Sequence, residues 1–449
     1  MRVWLLLGLF SQLSLAAENS PSYFRDIRPI LQRQCQGCHQ PNAKSSGLDL
    51  TSYAAFQKGG KRGPGFLPGA PGDSLIVKYI KGDAQPVMPL GAPPLSPEQI
   101  ASVQAWITSG AKDDTPAEAK DLISLDRPPT YLQPPVISAL AFSHDGKILA
   151  VSGYREILLH NADGSGLVSR LVGLSEQLNS LVFSSDSASL IASGGTPARF
   201  GELQIWDLPA GKLKRSITLT NDTVFGASLS PDAKVIAVGA ADNTVRLIEM
   251  ASGKELHKIG NHENWVLGTS FGVDGKRLVS VGRDRAAKLS DAATGAFLEN
   301  VNLLRGELLA IARHPKKDLV VIGGEERTPY IYMMDRPKVM KIADDTTLVR
   351  KLPRQDGAIA TLAWSSDGKS IAVGGMGAAV NVYDADTGKL ITSCKGHQAG
   401  IYAAAFSPAG DKLATGGFDG HVRIYNAATG EIMKDFVPVP LEKAVTSRE

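Results

Sequence analysis

Two cysteines and a histidine lie close together near the start of the sequence. Residues 35–39 read Cys-Gln-Gly-Cys-His, so Cys35 and Cys38 are three positions apart and His39 follows directly. This C-x-x-C-H spacing is typical of covalent haem attachment, in which the two thiols bond to the two haem vinyl groups. The adjacent histidine is then held under the iron as the proximal ligand. The pattern predicts one covalently bound haem c, with His39 as a metal ligand.

Two other kinds of site also use a C-x-x-C pair. A thioredoxin-like redox pair requires a βαβ context, and the surrounding sequence shows none. A zinc site requires four ligands, but no further Cys or His occurs before His144. Haem attachment therefore explains the residues better than either alternative.

Met88 is the residue that we expect on the opposite side of the iron. Within residues 20–112 it is the only methionine, and His39 is the only histidine. It stands in the run Pro-Val-Met-Pro at 86–89, and prolines favour an extended loop over a helix. A thioether ligand raises the reduction potential of a haem iron. The alternative is a methionine that only fills a gap in the core.

Two helical segments are predicted to frame these residues. Apolar side chains recur at helical spacing over 23–31, just before the cysteine pair. A second helix is expected after Ser96, with Pro97 in the first position and Gln99 completing a capping box. Its apolar stripe includes Trp106, which we expect to pack in a core and not to relay electrons.

Several short runs occur in a fixed order within residues 20–112. They are FRDIRPIL at 24–31, CQGCH at 35–39, GLDL at 47–50, GG at 59–60, PG at 68–69, SLI at 74–76, MP at 88–89, LS at 95–96 and WI at 106–107. In this order they resemble the planctomycete-type cytochrome c domain. The resemblance implies a small all-α class I cytochrome c fold, with haem attached through Cys35 and Cys38. It also implies His39 as proximal and Met88 as distal ligand. The turn at 90–94 departs from the family, which has a shorter turn there.

The first residues have the composition of an export signal. A basic start is followed by an apolar run over 3–15 and then by small residues around Ala16. This run is shorter than the about 20 apolar residues that a membrane span needs. We expect residues 1–17 to be a cleaved signal peptide. The mature protein would then be periplasmic or otherwise exported, without stable membrane insertion.

A repeat fills most of the remaining sequence. A strand-like segment leads into a polar turn at seven places, which begin at Phe142, Phe183, Leu229, Phe271, Arg313, Trp364 and Phe406. This period of about 40–50 residues is that of four-stranded propeller blades. With the Trp-Asp pair at 206–207, the repeats resemble the WD-repeat family, which implies an all-β seven-bladed β-propeller over 132–442. Residues 113–131 are then a Pro-containing linker, and 443–449 are a tail.

Histidines and a third cysteine in the repeats are given structural interpretations. His262 and His397 each precede a hydroxyl residue and an aspartate at positions where WD repeats form a buried hydrogen-bond network. His144 and His314 fall in turns that we expect to be exposed and solvated. Cys394 lies in a predicted outer strand, as a half-buried free thiol or, alternatively, in an intermolecular disulfide.

Composition and motifs exclude several classes of function. The 449 residues are 43% apolar and 21% charged, which is ordinary for a globular chain. The net charge is only +3 and no basic stripe interleaves with aromatic residues, so nucleic acid is not an expected partner. No H-E-x-x-H, G-x-S-x-G or P-loop motif occurs, so no catalytic residue is predicted.

We therefore expect an exported c-type cytochrome that transfers single electrons and docks an unknown redox partner protein on its propeller. Two alternatives stay open. One is a periplasmic haem-dependent redox enzyme with a substrate site on the propeller, and the other is a haem sensor or scaffold with a labile sixth ligand. Met88 distinguishes them, because a firmly bound thioether favours electron transfer and a labile one favours sensing or catalysis.

Overall fold

A computed structural model describes residues 20–40, 45–90, 93–116, 127–334 and 345–442. The chain divides into two compact units, residues 1–122 and 123–449. The predicted signal peptide at 1–17 and the tail at 443–449 lie outside the described residues. Among the helices of the described segments, none has the length and apolar character needed to cross a bilayer.

The N-terminal unit contains a few short helices. A π-helical turn, Tyr23–Ile27, continues into α1 (Arg28–Gln34), and a 3-10 turn follows at Ser45–Gly47. The later helices are α2 (Tyr53–Lys58), α3 (Leu75–Lys81) and α4 (Pro97–Thr108). Both predicted helical segments are therefore present.

The predicted capping box at the start of α4 is confirmed. The Ser96 hydroxyl accepts from the Gln99 backbone N–H at 3.3 Å, and the Gln99 side chain accepts from the Ser96 N–H at 2.9 Å. Two N–H groups that a helix start leaves unpaired are satisfied in this way.

Trp106 on α4 lies at the centre of an aromatic core. It is 1% exposed, and the rings of Tyr23, Phe56 and Phe66 lie 5.4, 6.1 and 4.8 Å from it, centroid to centroid. Its indole N–H donates to the Lys112 carbonyl oxygen at 3.1 Å. The expected packing role of Trp106 is confirmed.

The C-terminal unit consists of seven four-stranded antiparallel sheets, each formed by consecutive strands. Blades 1 to 4 are β1 (Leu140–Phe142), β2 (Ile148–Ser152), β3 (Glu156–Asn161) and β4 (Leu167–Val172); β5 (Gln177–Phe183), β6 (Ser189–Thr196), β7 (Phe200–Asp207) and β8 (Lys212–Thr220); β9 (Val224–Leu229), β10 (Val235–Ala240), β11 (Val245–Glu249) and β12 (Glu255–Ile259); β13 (Val266–Phe271), β14 (Arg277–Gly282), β15 (Ala287–Asp291) and β16 (Phe297–Asn300). Blades 5 to 7 are β17 (Leu308–Arg313), β18 (Leu319–Gly324), β19 (Tyr330–Met333) and β20 (Leu348–Lys351); β21 (Ile359–Trp364), β22 (Ser370–Gly375), β23 (Ala379–Asp384) and β24 (Leu390–Lys395); β25 (Ile401–Phe406), β26 (Lys412–Gly417), β27 (Val422–Asn426) and β28 (Ile432–Phe436).

The first strands of the blades form a closed inner ring, because each packs on the next and β25 packs on β1. The second strands are almost wholly buried, whereas outer strands such as β28 are largely exposed. Small residues in the second strands permit close approach: a Cβ on Gly375 would lie only 1.9 Å from the Ala358 carbonyl oxygen. The predicted seven-bladed propeller is confirmed.

The repeated Ser-x-Asp turn joins the first two strands of a blade by a defined set of hydrogen bonds. The Ser143 hydroxyl donates to Asp145 at 2.6 Å and accepts from the Ile148 N–H at 3.0 Å. Gly146 takes a φ of +71° in this turn, a conformation that residues with a Cβ rarely adopt. The same turn occurs in blades 2, 3 and 6, so in these blades the local sequence accounts for the start of the second strand.

Within residues 127–334 and 345–442, each blade is built from four consecutive strands, and the ring closes without an exchanged strand. The segment before β1 supplies only an isolated parallel bridge, between Tyr131 and Leu441, and the Ile137 N–H donates to the Gly417 carbonyl oxygen at 3.0 Å. The two ends of the segment expected as linker also pack on their own units. The Asp114 carboxylate accepts from the Phe24 N–H at 2.8 Å in the helical unit, and Tyr131 is 6% exposed in the propeller.

Candidate haem site and polar clusters of the propeller

The C-x-x-C-H residues form a tight turn at the end of α1. The Cys35 N–H donates to the Leu31 carbonyl oxygen at 2.9 Å, and the Cys35 carbonyl oxygen accepts from the N–H groups of Cys38 and His39 at 3.2 and 3.1 Å. Both thiols are free. Cys35 is half-buried against the aromatic core and Cys38 is exposed. Burial raises the pKa of the Cys35 thiol to about 12.

His39 is buried beside the cysteines and is fixed through its backbone. It is 9% exposed, and its carbonyl oxygen accepts from the Leu50 N–H at 2.8 Å. The Gln36 amide donates to the Leu50 carbonyl oxygen at 2.7 Å, which holds the same turn. The His39 Nδ1 atom is buried and has no hydrogen-bond partner in the described part of the chain. Burial lowers the pKa of His39, and neutral imidazole is the form that binds a metal.

Met88 lies half-buried in the loop after α3. Its N–H donates to the Tyr79 carbonyl oxygen at 3.1 Å, and earlier in the loop the Ala84 N–H donates to the Lys78 carbonyl oxygen at 3.1 Å. The backbone of the loop is thus tied to the last turn of α3. The expected non-helical loop is confirmed, and residues 91–92 that follow it lie outside the described residues.

These residues fit a haem better than a zinc ion. Within the described segments, no three His, Cys, Asp or Glu side chains come together as a metal site. A haem does not need such a group, because its porphyrin fills four positions around the iron and the protein supplies the axial ligands. Two free thiols three residues apart and a buried histidine with an unpaired ring nitrogen are the groups that a haem c would use. Cys35, Cys38 and His39 are the residues that would hold such a group, with Met88 as the predicted further ligand.

The histidines predicted to be structural form buried networks. In blade 7, His397 Nδ1 lies 3.0 Å from the Asp419 carboxylate, and Nε2 lies 2.7 Å from the Thr415 hydroxyl. Arg423 donates to the same carboxylate at 2.7 Å. Blade 4 repeats the arrangement with His262, Ser280, Asp284 and Lys288. The structural interpretation of both histidines is confirmed.

Blade 6 lacks this network, a difference that the motifs of the sequence did not indicate. By strand register, Val373 lies at the position of Thr415, Asn381 at that of Arg423, and Ser393 at that of Asp435. Counted from the neighbouring strands, Gln355 lies at the position of His397 and Gly377 at that of Asp419. The shorter, uncharged side chains leave a cavity of about 580 Å³, and all five line it. Asn381 and Gln355 pair through their amides at 2.9 Å. Aligning the repeats by strand position would have revealed the substitution.

His314 does not match its prediction, whereas His144 does. His144 is exposed. His314 is 5% exposed, its ring lies edge-on to Trp364 at 4.8 Å, and Nδ1 accepts from the Lys316 and Lys317 N–H groups at 3.0 Å. The prediction of a solvated His314 was wrong because a residue of the next blade covers the turn.

Cys394 is more buried than expected. It lies on β24, is 0% exposed and packs against residues of blade 7, and this burial raises the pKa of its thiol to about 11. The prediction of a half-buried position was therefore wrong. A thiol without exposed surface cannot reach a second chain unless the outer strand opens, so the structure disfavours the intermolecular disulfide.

A buried ion pair in blade 1 was not predicted either. Both Glu156 oxygens accept from Arg170, at 2.6 and 2.7 Å, and the Tyr131 hydroxyl donates to one of them at 2.7 Å. The Glu156 side chain is 0% exposed. The sequence signal that could have revealed this pair is Glu156, a charged residue at the start of the buried third strand of the blade.

Three family models match parts of the chain. "WD domain, G-beta repeat" matches residues 211–249, 253–291 and 388–426, and "Anaphase-promoting complex subunit 4 WD40 domain" matches 311–404. "Planctomycete cytochrome C" matches 35–90, the segment that contains the cysteine pair and Met88.

The similar curated proteins include WD-repeat proteins. Autophagy-related protein 16 of Arabidopsis thaliana is 22% identical over 238 residues, which is 52% of this chain and 44% of that protein. Transcription factor unc-37 of Caenorhabditis elegans is 28% identical over 202 residues, 44% and 31% of the two chains. WD repeat and SOCS box-containing protein 1 of Homo sapiens is 32% identical over 91 residues, 20% and 22%. The chain thus spans less than half the length of each of these relatives. Matched repeats and seven four-stranded sheets together show that the C-terminal unit is a seven-bladed β-propeller built from WD40 repeats.

Proposed function

We propose that this chain is an exported c-type cytochrome that carries single electrons and uses its propeller to dock a partner protein. The observation that carries the proposal is the C-x-x-C-H turn at the end of α1, with two free thiols and a buried His39. The family match over residues 35–90 supports the same assignment. The proposal includes export through residues 1–17, since haem c is attached outside the cytoplasm.

Each residue of the site has a separate task in this proposal. Cys35 and Cys38 would anchor the haem, and His39 and Met88 would be its nitrogen and thioether ligands. When bound, the haem supplies one-electron Fe(II)/Fe(III) chemistry. The buried side of the turn, with Cys35 on the aromatic core, keeps water from one side of the site. The exposed Cys38 lies on the open side.

One region of the propeller has features of a docking surface. Met376 directly follows the second strand of blade 6, and Phe418 directly follows that of blade 7. In blade 1, Tyr154 lies two positions after the second strand. These three side chains are 51%, 60% and 43% exposed, and their blades are neighbours in the ring. At the same register position, blades 3 to 5 have Ala241, Arg283 and Glu325, and blade 2 has Gly195, which lies within the longer strand β6. Large exposed apolar groups on three consecutive blades support a protein contact, and we propose that the partner docks there.

An optical spectrum tests the haem assignment. The protein is made in a host that matures c-type haem, and its oxidised and reduced spectra are recorded before and after denaturation and acid-acetone extraction. Haem that stays with the chain, together with the near-infrared band of a ferric iron–thioether bond, is the expected result. Cys35→Ala/Cys38→Ala, made in the same host, is the matched control and should lose haem on extraction.

Two other outcomes have definite meanings. Covalent haem without the near-infrared band, with ready binding of carbon monoxide to the reduced form, would favour the sensor or enzyme alternatives. Absence of covalent haem would overturn the proposal.

The docking surface has its own test. Met376→Ser/Phe418→Ser should leave the haem spectrum unchanged but slow the reoxidation of the reduced protein by a periplasmic fraction of the source organism. Met433→Ser, at a 54% exposed methionine on outer strand β28, is the control. Equal reoxidation rates in the wild type and both variants would place the partner elsewhere.

A further inference from the structure

Arg62 connects two parts of the loop region that carries Met88. It lies before α3 in the sequence, yet its guanidinium donates to the Gln85 carbonyl oxygen at 3.1 Å and to the Tyr79 hydroxyl. The same guanidinium lies over the Tyr79 ring, 5.3 Å from its centroid. One side chain therefore contacts both the last turn of α3 and the loop that follows it.

Tyr79 is joined to Met88 from its other side. Its backbone carbonyl oxygen accepts the Met88 N–H at 3.1 Å, while its hydroxyl and ring contact Arg62. The residues from Gln85 to Met88 are thus held at both ends, by Arg62 at Gln85 and by Tyr79 at Met88. Loss of either contact frees one end of the segment that carries the thioether.

Two neighbouring side chains show that this arrangement is specific to Arg62. Lys61 and Arg62 are both exposed, but Lys61 makes its contact through its backbone, whose N–H donates to the Ser46 carbonyl oxygen at 2.8 Å. Lys81 at the end of α3 pairs with Asp83 at 3.1 Å. Arg62 differs because a planar guanidinium can stack on a ring and donate two hydrogen bonds at once, which an ammonium group cannot do with the same geometry.

We propose that Arg62 and Tyr79 are positioning residues that hold the Met88 loop closed and so set how readily Met88 leaves the iron. This inference rests on the proposed function, because it requires Met88 to be an axial ligand. A ligand that is supplied by a loop detaches when the loop opens, so the opening equilibrium controls its replacement by an external ligand. The contact of Arg62 with Gln85 is broken when the loop leaves α3, whereas the contact with Tyr79 on α3 keeps the guanidinium in place to make it. Loss of the Gln85 contact therefore favours the open loop.

Imidazole binding to the ferric protein measures this opening directly, since imidazole binds only after the thioether has left. Arg62→Met should lower the apparent dissociation constant for imidazole about tenfold, the factor that corresponds to about 1.4 kcal/mol. Tyr79→Phe keeps the ring and the backbone carbonyl, so its effect should be smaller. Arg62→Lys keeps the charge without the planar fork and should recover only part of the wild-type value. Lys61→Met removes an adjacent positive charge and should bind imidazole as the wild type does.

The outcomes separate this inference from the proposed function. A wild type with the near-infrared band, combined with equal imidazole affinities in the wild type and in Arg62→Met, would overturn the positioning role alone. An equal effect of Lys61→Met and Arg62→Met would also overturn it, because charge and not the contacts would then be responsible. A wild type without covalent haem or without the thioether band would overturn the proposed function, and the positioning role with it.

Discussion

Gln355 lies in blade 6 at the position that His397 occupies in blade 7, four residues before Ile359 and Ile401 at the start of their blades. His397 joins the Asp419 carboxylate, which is 11% exposed, and the buried Thr415 hydroxyl. Gln355 contacts the side chains of Asn381 and Tyr383 at 2.9 Å, and both Gln355 and His397 line the cavity. Residues at equivalent positions of two blades therefore contribute differently to the stability of the propeller.

Alanine substitution should expose this difference. His397→Ala removes a partner from buried polar groups and should lower the free energy of unfolding by about 2–3 kcal/mol. Gln355→Ala, the matched control, should lower it by about 1 kcal/mol, because its partners Asn381 and Tyr383 are uncharged, whereas His397 contacts the Asp419 carboxylate. Urea unfolding followed by far-UV circular dichroism measures both. Equal losses would contradict the assignment of the blade 7 network.

The propeller should lose stability in two steps as the pH falls. Burial holds the pKa of His397 below its usual 6.5, as it does for His160 and His314. The unfolded chain therefore takes up protons below about pH 6.5 that the folded chain does not, and stability falls from there downward.

Burial alone would raise the pKa of Asp419, but hydrogen bonds from Arg423 and His397 outweigh it and lower the value from 3.8 to about 2. This contribution is present above 3.8 and is lost as the pH falls toward 2.

Urea midpoints between pH 8 and pH 3 test the pH dependence. His397→Gln should reduce the loss in the upper step, and Asp419→Asn should reduce the loss in the lower one. Midpoints that stay constant from about pH 7 to pH 5 would be incompatible with buried neutral histidines.

Glu156 should be important for the closure of the ring. Glu156→Gln leaves the Arg170 guanidinium, 20% exposed, without a charged partner. The free energy of unfolding should fall by about 3 kcal/mol, as when one partner of a buried pair is removed. Glu176→Gln is the control, because Glu176 pairs with Arg199 at 3.7 Å on the surface and should contribute less than about 1 kcal/mol. A loss for Glu156→Gln no larger than the control's would show that the pair is not structural.

Met88→Ala should keep the covalent haem and lower its reduction potential, because a thioether ligand stabilises the ferrous iron. The near-infrared band should disappear at the same time. Val87→Ala, at the neighbouring 39% exposed residue, should change neither property. Redox titration and the ferric spectrum measure the two effects. An unchanged potential and spectrum in Met88→Ala would exclude Met88 as a ligand.

Cys35→Ala/Cys38→Ala should produce a folded propeller without covalent haem, because each unit has its own core. The mass of the protein and the urea midpoint of its β-sheet signal measure the two effects. The free energy of unfolding of the propeller should stay within about 0.5 kcal/mol of the wild type, since the two units have separate cores. Collapse of the β-sheet signal would contradict the division into two units.

Local patterns predicted the elements of this protein well. The Ser96–Gln99 capping box and the Ser143–Asp145 turn were predictable because their hydrogen bonds join residues two or three positions apart. The number of blades followed from the repeat, since each copy contains its own four strands. Within the candidate site, the spacing of the cysteines and His39 predicts a haem, and this assignment stays a prediction.

Burial and pairing could not be predicted in the same way. His144 and His314 stand in similar turns, but Trp364 of the next blade covers only His314. The ion pair between Glu156 and Arg170 and its contact with Tyr131 join segments that are separate in the sequence. The contact of Arg62 with Tyr79 and Gln85 is of the same kind.

The sequence by itself determined the helical segments that precede Cys35 and follow Ser96 and the number of blades, because short-range hydrogen bonds and periodic burial decide these features. Only the tertiary structure decided that Cys394 and His314 are buried, that blade 6 contains a cavity, and that Tyr131 meets Leu441 where the ring closes. These features depend on side chains from neighbouring blades or from opposite ends of the propeller, and their packing is settled only when the ring is complete.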